Sequence, residues 1–310
     1  MSRIKNKVCF LLALTAIAMC PIMVQAKEGA DWYPYGSETW MAGVMPPPGV
    51  YFIDYLGYYS ADLRDGDGRK APSSIHAWFN AFRIAHVTNV EILGGKFAWH
   101  IIQPTVHMAS ESPEGKVSGT RFADLTLGLA NSWHHNNSSW TAGLGINLPT
   151  GYYRAGRPQE SAGTGYWSVE PSLAYTYLSD TGWEFSTRFA YFLNATNHDY
   201  KPAPETQSVD YRSGDEIHID YLIGKRFGPM GVGISGYWVK QINNDEIDGS
   251  AMPATPFTSE GRRGQVFAIG PSVTYQAKSG VSVSLQWNHE YQVRNRFGGD
   301  KTLMKFSVPF

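Results

Sequence analysis

From residue 49 onward, apolar and polar residues alternate almost one for one. Trp183, Phe185, Thr187, Phe189, Tyr191 and Leu193 interleave with Glu184, Ser186, Arg188, Ala190 and Phe192. Val281, Val283, Leu285, Trp287, His289 and Tyr291 do the same against Ser282, Ser284, Gln286, Asn288 and Glu290. Successive side chains of a strand point to opposite faces, so period two specifies a sheet with one apolar and one polar face. A helix would repeat its apolar positions every three or four residues instead.

Twelve such segments are expected, at about 50–60, 75–89, 96–110, 120–133, 140–149, 165–178, 183–193, 215–226, 231–241, 265–277, 281–293 and 301–310. The third is the least regular, because its faces are mixed and Pro104 interrupts it. The connections alternate in length. Those at 61–74, 111–119, 150–164, 194–214, 242–264 and 294–300 are long and polar. His134–Ser139, Ser179–Gly182, Phe227–Met230 and Lys278–Gly280 are tight. Short turns at one end and long loops at the other are the habit of an up-and-down transmembrane barrel, whereas a soluble sandwich has no reason for this asymmetry.

Charge sorting supports the same architecture. Asp54, Arg83, Asp124, Glu170, Glu184, Arg188, Glu216, Asp220, Arg226, Glu290, Arg294 and Lys305 fall on the parity assigned to the lumen. A basic side chain on the lipid face at mid-depth costs about 2–4 kcal/mol, so a bilayer enforces such sorting. The 10 Trp, 18 Tyr and 15 Phe then acquire a place. Trp133, Trp140, Tyr177, Trp183, Tyr275 and Phe310 sit beside expected short turns, where an interfacial girdle belongs. The mean hydropathy of −0.29 argues against spanning helices, and the net charge of −1 offers no basic footprint for nucleic acid.

The chain begins as exported proteins begin. Arg3, Lys5 and Lys7 precede an apolar run, and Val24-Gln25-Ala26 places small residues before a cleavage point. This is the order of a secretory signal peptide, expected over 1–26, whose removal takes Cys9 and Cys20 with it. Residues 27–48 form an aromatic and proline-rich segment, and 49–310 the barrel. Met304, Phe306, Val308 and Phe310 alternate up to the last residue. Many outer-membrane proteins end this way, and the expected partners are outer-membrane lipid and the barrel-assembly machinery, which is thought to read that strand.

Several stretches resemble the family of meta-pathway of phenol degradation proteins. They are Pro46-Pro47-Pro48-Gly49-Val50-Tyr51-Phe52, Tyr58-Tyr59, Leu93-Gly94-Gly95, Leu148-Pro149-Thr150-Gly151-Tyr152 and Tyr166-Trp167. The resemblance implies an outer-membrane channel of a Gram-negative bacterium. By analogy it implies passive uptake of small hydrophobic or aromatic compounds, with no cofactor and no enzymatic chemistry.

Two places could carry function. Glu170, Arg188 and Asp220 lie near strand centres on the inward parity, with Tyr237 roughly opposite Asp220. They form either a constriction that selects solutes or a set of paired charges that stiffens a narrow lumen. Trp32, Tyr35 and Trp40 make residues 27–48 either a hatch inside the lumen or a loose periplasmic tail. Other patterns are weaker. Gly231 to Gly236 spells a dinucleotide glycine pattern but continues as strand where a helix is required. Asp65-Gly66-Asp67-Gly68 lacks the ligand spacing of a calcium loop, and His134-His135 sits at a turn. An outer-membrane lipase or protease is the rival, although the His-x-Ser step of the outer-membrane phospholipase does not occur. An adhesive or structural barrel acting through its loops is the third reading.

Overall fold

The computed structural model describes residues 34–254 and 262–310, so the expected signal segment and Trp32 lie outside the described residues. Among the described residues, twelve long antiparallel strands make a closed wall. They are β1 (Gly49–Arg64), β2 (Lys70–Ile92), β3 (Gly95–Ser112), β4 (Leu125–His135), β5 (Ser138–Leu148) and β6 (Ser168–Leu178). Then come β7 (Trp183–Asn194), β8 (Glu216–Phe227), β9 (Met230–Gln241), β10 (Gln265–Gln276), β11 (Ser282–Arg294) and β12 (Arg296–Pro309). Every strand pairs with its neighbours in sequence, and β1 pairs with β12 from Tyr51↔Pro309 to Arg64↔Arg296. Closure leaves no sheet edge, which is what lets a β structure sit in hydrocarbon without unsatisfied amides.

Each of the twelve expected segments overlaps one wall strand, the fourth only from Leu125 onward. The irregular third one has a structural cause. β3 changes partner midway, with Lys96–Ile102 on β4 and Thr105–Ser112 on a short strand, Gly115–Phe122. Pro104 stands at that change, and its carbonyl accepts the Ala123 N–H. The fourth expected segment is therefore split at Ala123-Asp124. Asp124 is buried there, accepting hydrogen bonds from the amides of Gly151 and Thr164 and from the Thr164 hydroxyl. Its role is to tie down the 149–167 loop, since a buried carboxylate must find donors.

The outer surface carries Leu127, Leu129, Leu144, Leu173, Phe185, Phe189, Ile223, Val232, Ile234, Val273 and Leu285, all exposed. A continuous apolar belt of this extent is not tolerated in water and matches a bilayer core. Tyr177, Trp183, Tyr275 and Phe310 are exposed beside the short turns, and Trp133 pairs with Trp140 there.

Two residues assigned inward do not face the lumen. Asp54 shares the outer face with exposed Leu56 and Phe82, where Asn80 Nδ2 donates to it at 2.7 Å. Both faces of β1 are aromatic, because Tyr55 and Tyr59 pack inside, so apolar character does not mark the lipid side there. Arg294 is displaced by a bulge at Gln292, a residue with φ of 50°. The extra residue reverses the parity beyond it, leaving Arg294 exposed at the loop end.

The long connections 194–214 and 242–264 carry a second, four-stranded sheet of short strands, Thr196–Tyr200, Val209–Arg212, Glu246–Ile247 and Ser250–Ala251. Asp245 is buried beneath it, accepting from the Gly214 N–H, the Tyr211 hydroxyl and Gln241 Nε2. Burial outweighs these donors and Arg262 and pushes its carboxyl up to about 7. The folded loops thus hold a proton the unfolded chain would release. That contribution to stability is complete below the ordinary carboxylate range and lost as pH rises through about 7. Amide exchange over 209–216, corrected for intrinsic rates, is expected to quicken between about pH 5 and about pH 8. Asp245→Asn should make it flat.

Candidate lumen site

Residues 34–48 run inside the barrel from the middle of β8 towards the short-turn end. Gly36 N–H donates to Asp220 Oδ1 at 2.9 Å and Glu38 N–H to Oδ2 at 3.3 Å. Lower down, Trp40 Nε1 donates to Ser272 Oγ at 2.8 Å and Gly43 N–H to Thr176 Oγ1 at 2.9 Å. Loop backbone inside a barrel needs such partners, and polar side chains of the inner face supply them. Trp40 itself needs room. A Cβ on Gly224 or Gly231 would lie 2.3 or 2.9 Å from the indole, so only glycine leaves that seat open. The glycine run of β9 is thus a packing surface for Trp40.

Glu38 is the sole charged residue between 34 and 48 and the hub of the site. Its carboxylate meets Lys305 Nζ at 2.6 Å, Arg83 Nη1 at 2.9 Å and the Tyr55 hydroxyl at 2.8 Å. Burial alone would raise its pKa, but Lys305 and Arg83 together hold it well below the usual carboxylate range. It is ionised at any pH the cell surface meets. A second anchor follows, with Met41 N–H donating to Glu184 Oε1 at 2.6 Å while Arg226 Nε holds Oε2 at 2.7 Å. Arg226 also lies 5.3 Å above the Trp40 ring.

The four lumen candidates are brought partly together. Asp220 stands directly opposite both Arg188 on β7 and Tyr237 on β9. Arg188 forms an ion pair with Glu170 of β6. Tyr237 turns towards the loop end, donating to Glu290 Oε1 at 2.5 Å, so it shares no contact shown with Glu170. Of the aromatic candidates in the N-terminal segment, Tyr35 and Trp40 are buried. Tyr35 packs edge-on to His218 at 4.6 Å and beside Tyr237 at 5.8 Å. Sequence reasoning passed over Glu38, although a lone charge in an uncharged, aromatic stretch was a signal. It placed Arg83 and Lys305 on the lumen face without seeing that they converge.

Beside residues 34–48, a strap across the lumen, lies a cavity of about 730 Å³. Ala98, Ala130 and Ala174 line it from the wall, and Met41, Val44 and Met45 from the strap. Glu38, Arg83, Arg188 and Lys305 border the same space. Small wall residues make the void, and the strap closes it on one side.

A closed twelve-stranded wall with an apolar exterior and a lumen threaded by its own N-terminal segment defines a β-barrel of the outer-membrane type. The family described as "Putative MetA-pathway of phenol degradation" matches residues 60–306, and the chain belongs to it. Among solved structures, the COG4313 outer membrane channel from Pseudomonas putida F1 superposes with a TM-score of 0.73 at 14% identity, over 91% of this chain and 100% of that one. The transport unit of the autotransporter AIDA-I from Escherichia coli reaches a TM-score of 0.50 at 10% identity, over 87% of this chain and 95% of that one. No curated protein matches the chain.

Proposed function

We propose that the protein is an outer-membrane channel of a Gram-negative bacterium for passive uptake of small hydrophobic or aromatic compounds. The cavity carries this reading: it is roomy, walled in part by alanine and strap residues, and bordered by charged side chains such as Arg83, Arg188 and Lys305. Sites for small organic molecules have this make-up, apolar walls with a few convergent polar groups. The family and the channel from Pseudomonas putida F1 support a transport role over an enzymatic one. The route begins with capture at the long loops and passes Tyr35 and the Glu170, Arg188, Asp220 and Tyr237 level, where residues 34–48 act as the hatch. Cleavage after Ala26 and delivery to the assembly machinery through the strand ending at Phe310 complete the proposal.

Two prolines bear on the way out. Ladder pairing between β6 and β7 lapses between Val169↔Leu193 and Ser172↔Ala190, at Pro171. Between β10 and β11 it lapses from Ile269↔His289 to Ser272↔Gln286, at Pro271. A missing N–H in each place loosens the wall, so sideways release into the bilayer joins release to the periplasm as an exit. Proteoliposomes holding the refolded protein should take up toluene or phenol faster than empty ones. Equal rates for every aromatic tried would refute the proposal.

A further inference from the structure

The strap is held at Glu38 by an arrangement whose charges do not balance. Arg83 and Lys305 converge on one carboxylate, so the knot of three carries one net positive charge. It borders the cavity, where Glu170 balances Arg188 and Glu184, from behind the lining, balances Arg226. Lys278 stands on the same lining at the short-turn rim. A confined space with surplus positive charge favours an anion, and two convergent donors favour a carboxylate over a neutral oxygen. Ile53, Ala85 and Ile102 give the lining near the knot an apolar face that suits the body of such a ligand, beside His100, whose Nδ1 lies 3.1 Å from Arg83 Nη2.

We propose that this cavity is a binding site for small aromatic carboxylates, whose anionic head takes Arg83 and Lys305 from Glu38 while the ring lies against the alanine wall. The inference rests on the uptake reading and names the solute class for that same site. It also gives the strap a release. Glu38 is a tethered competitor for its two cations, present at high effective concentration. A ligand that displaces it removes the strap's only charged anchor to β1, β2 and β12 among the described contacts. Residues 38–41 then keep only uncharged donors on the wall, the amides of Glu38 and Met41 on Asp220 and Glu184, the Thr39 hydroxyl on Gln286 and the Trp40 indole on Ser272.

The test uses the full mature chain, refolded in detergent, titrated calorimetrically with benzoate and with benzamide, its neutral isostere. Benzoate should bind at least about tenfold tighter, the scale of one added charge-assisted contact. Glu38→Gln removes the competing anion and should raise benzoate affinity several-fold relative to that of benzamide (on the order of one hydrogen bond). Lys305→Met should erase the preference; heat-modifiable gel mobility reports whether each variant has folded, and Glu38→Gln alone carries the test if Lys305→Met does not. Equal binding of the two solutes, or a benzoate affinity unmoved or weakened in Glu38→Gln, overturns the carboxylate site. Uptake of benzoate and of benzamide into liposomes is measured in parallel. Uptake without charge preference overturns this inference alone, and absence of any uptake overturns the channel reading with it.

Discussion

Asp220→Ala is expected to raise the single-channel conductance of the refolded protein several-fold in planar bilayers. Both carboxylate oxygens of Asp220 accept amides of the strap, from Gly36 and Glu38. Removing the acceptor strands two N–H groups in a confined lumen, at about 1–3 kcal/mol for each group left unsatisfied. The wall itself loses little, because β8 keeps its full ladder to β7 and β9. Residues 36–38 therefore lose their hydrogen bonds to β8, while Tyr35 stays against His218 and Trp40 keeps its seat on Gly224 and Gly231. Asp220→Asn retains one acceptor and should fall between the two. Wild-type conductance in Asp220→Ala would show that this carboxylate does not hold the strap in place.

The largest loss of stability should follow from Arg188→Met. Glu170 keeps only 5% of its side chain exposed, and Arg188 is its ion-pair partner. Deleting one member of a buried pair costs about 3–5 kcal/mol, because the remaining charge is left without compensation. Urea unfolding in lipid vesicles should show that loss, and Arg188→Met with Glu170→Gln should recover most of it. The recovery matters more than the loss, since only the double variant separates pairing from packing. A single-variant cost below about 1 kcal/mol would mean that lumen water solvates Glu170 as a surface group.

The wall was legible because a bilayer imposes a strict rule on every second residue. Phe185, Phe189 and Leu193 against Glu184, Ser186 and Arg188 admit one orientation of β7. Where the rule weakens, legibility weakens too. β1 carries aromatics on both faces, so Asp54 was placed inside when it stands outside with Asn80. The bulge at Gln292 shifts the count by one, and alternation has no memory of an inserted residue. Tyr237 opposite Asp220 could be read from the tight 227–230 turn, because a short hairpin sets its own register.

The lumen was legible only as an inventory. Alternation assigns Arg83, Arg188 and Lys305 to the inner face, but closure decides that residue 305 comes beside residue 83. Convergence of Glu38 from a segment with no alternation of its own is a further step that no local pattern records. By itself, then, the sequence determined the strand count, the sidedness of the wall and the end with the short turns, since each follows from local periodicity in a layered solvent. The tertiary structure alone decided which charges meet, where the strap lies and what space it leaves, because those depend on contacts between different strands and the strap, up to 267 positions apart.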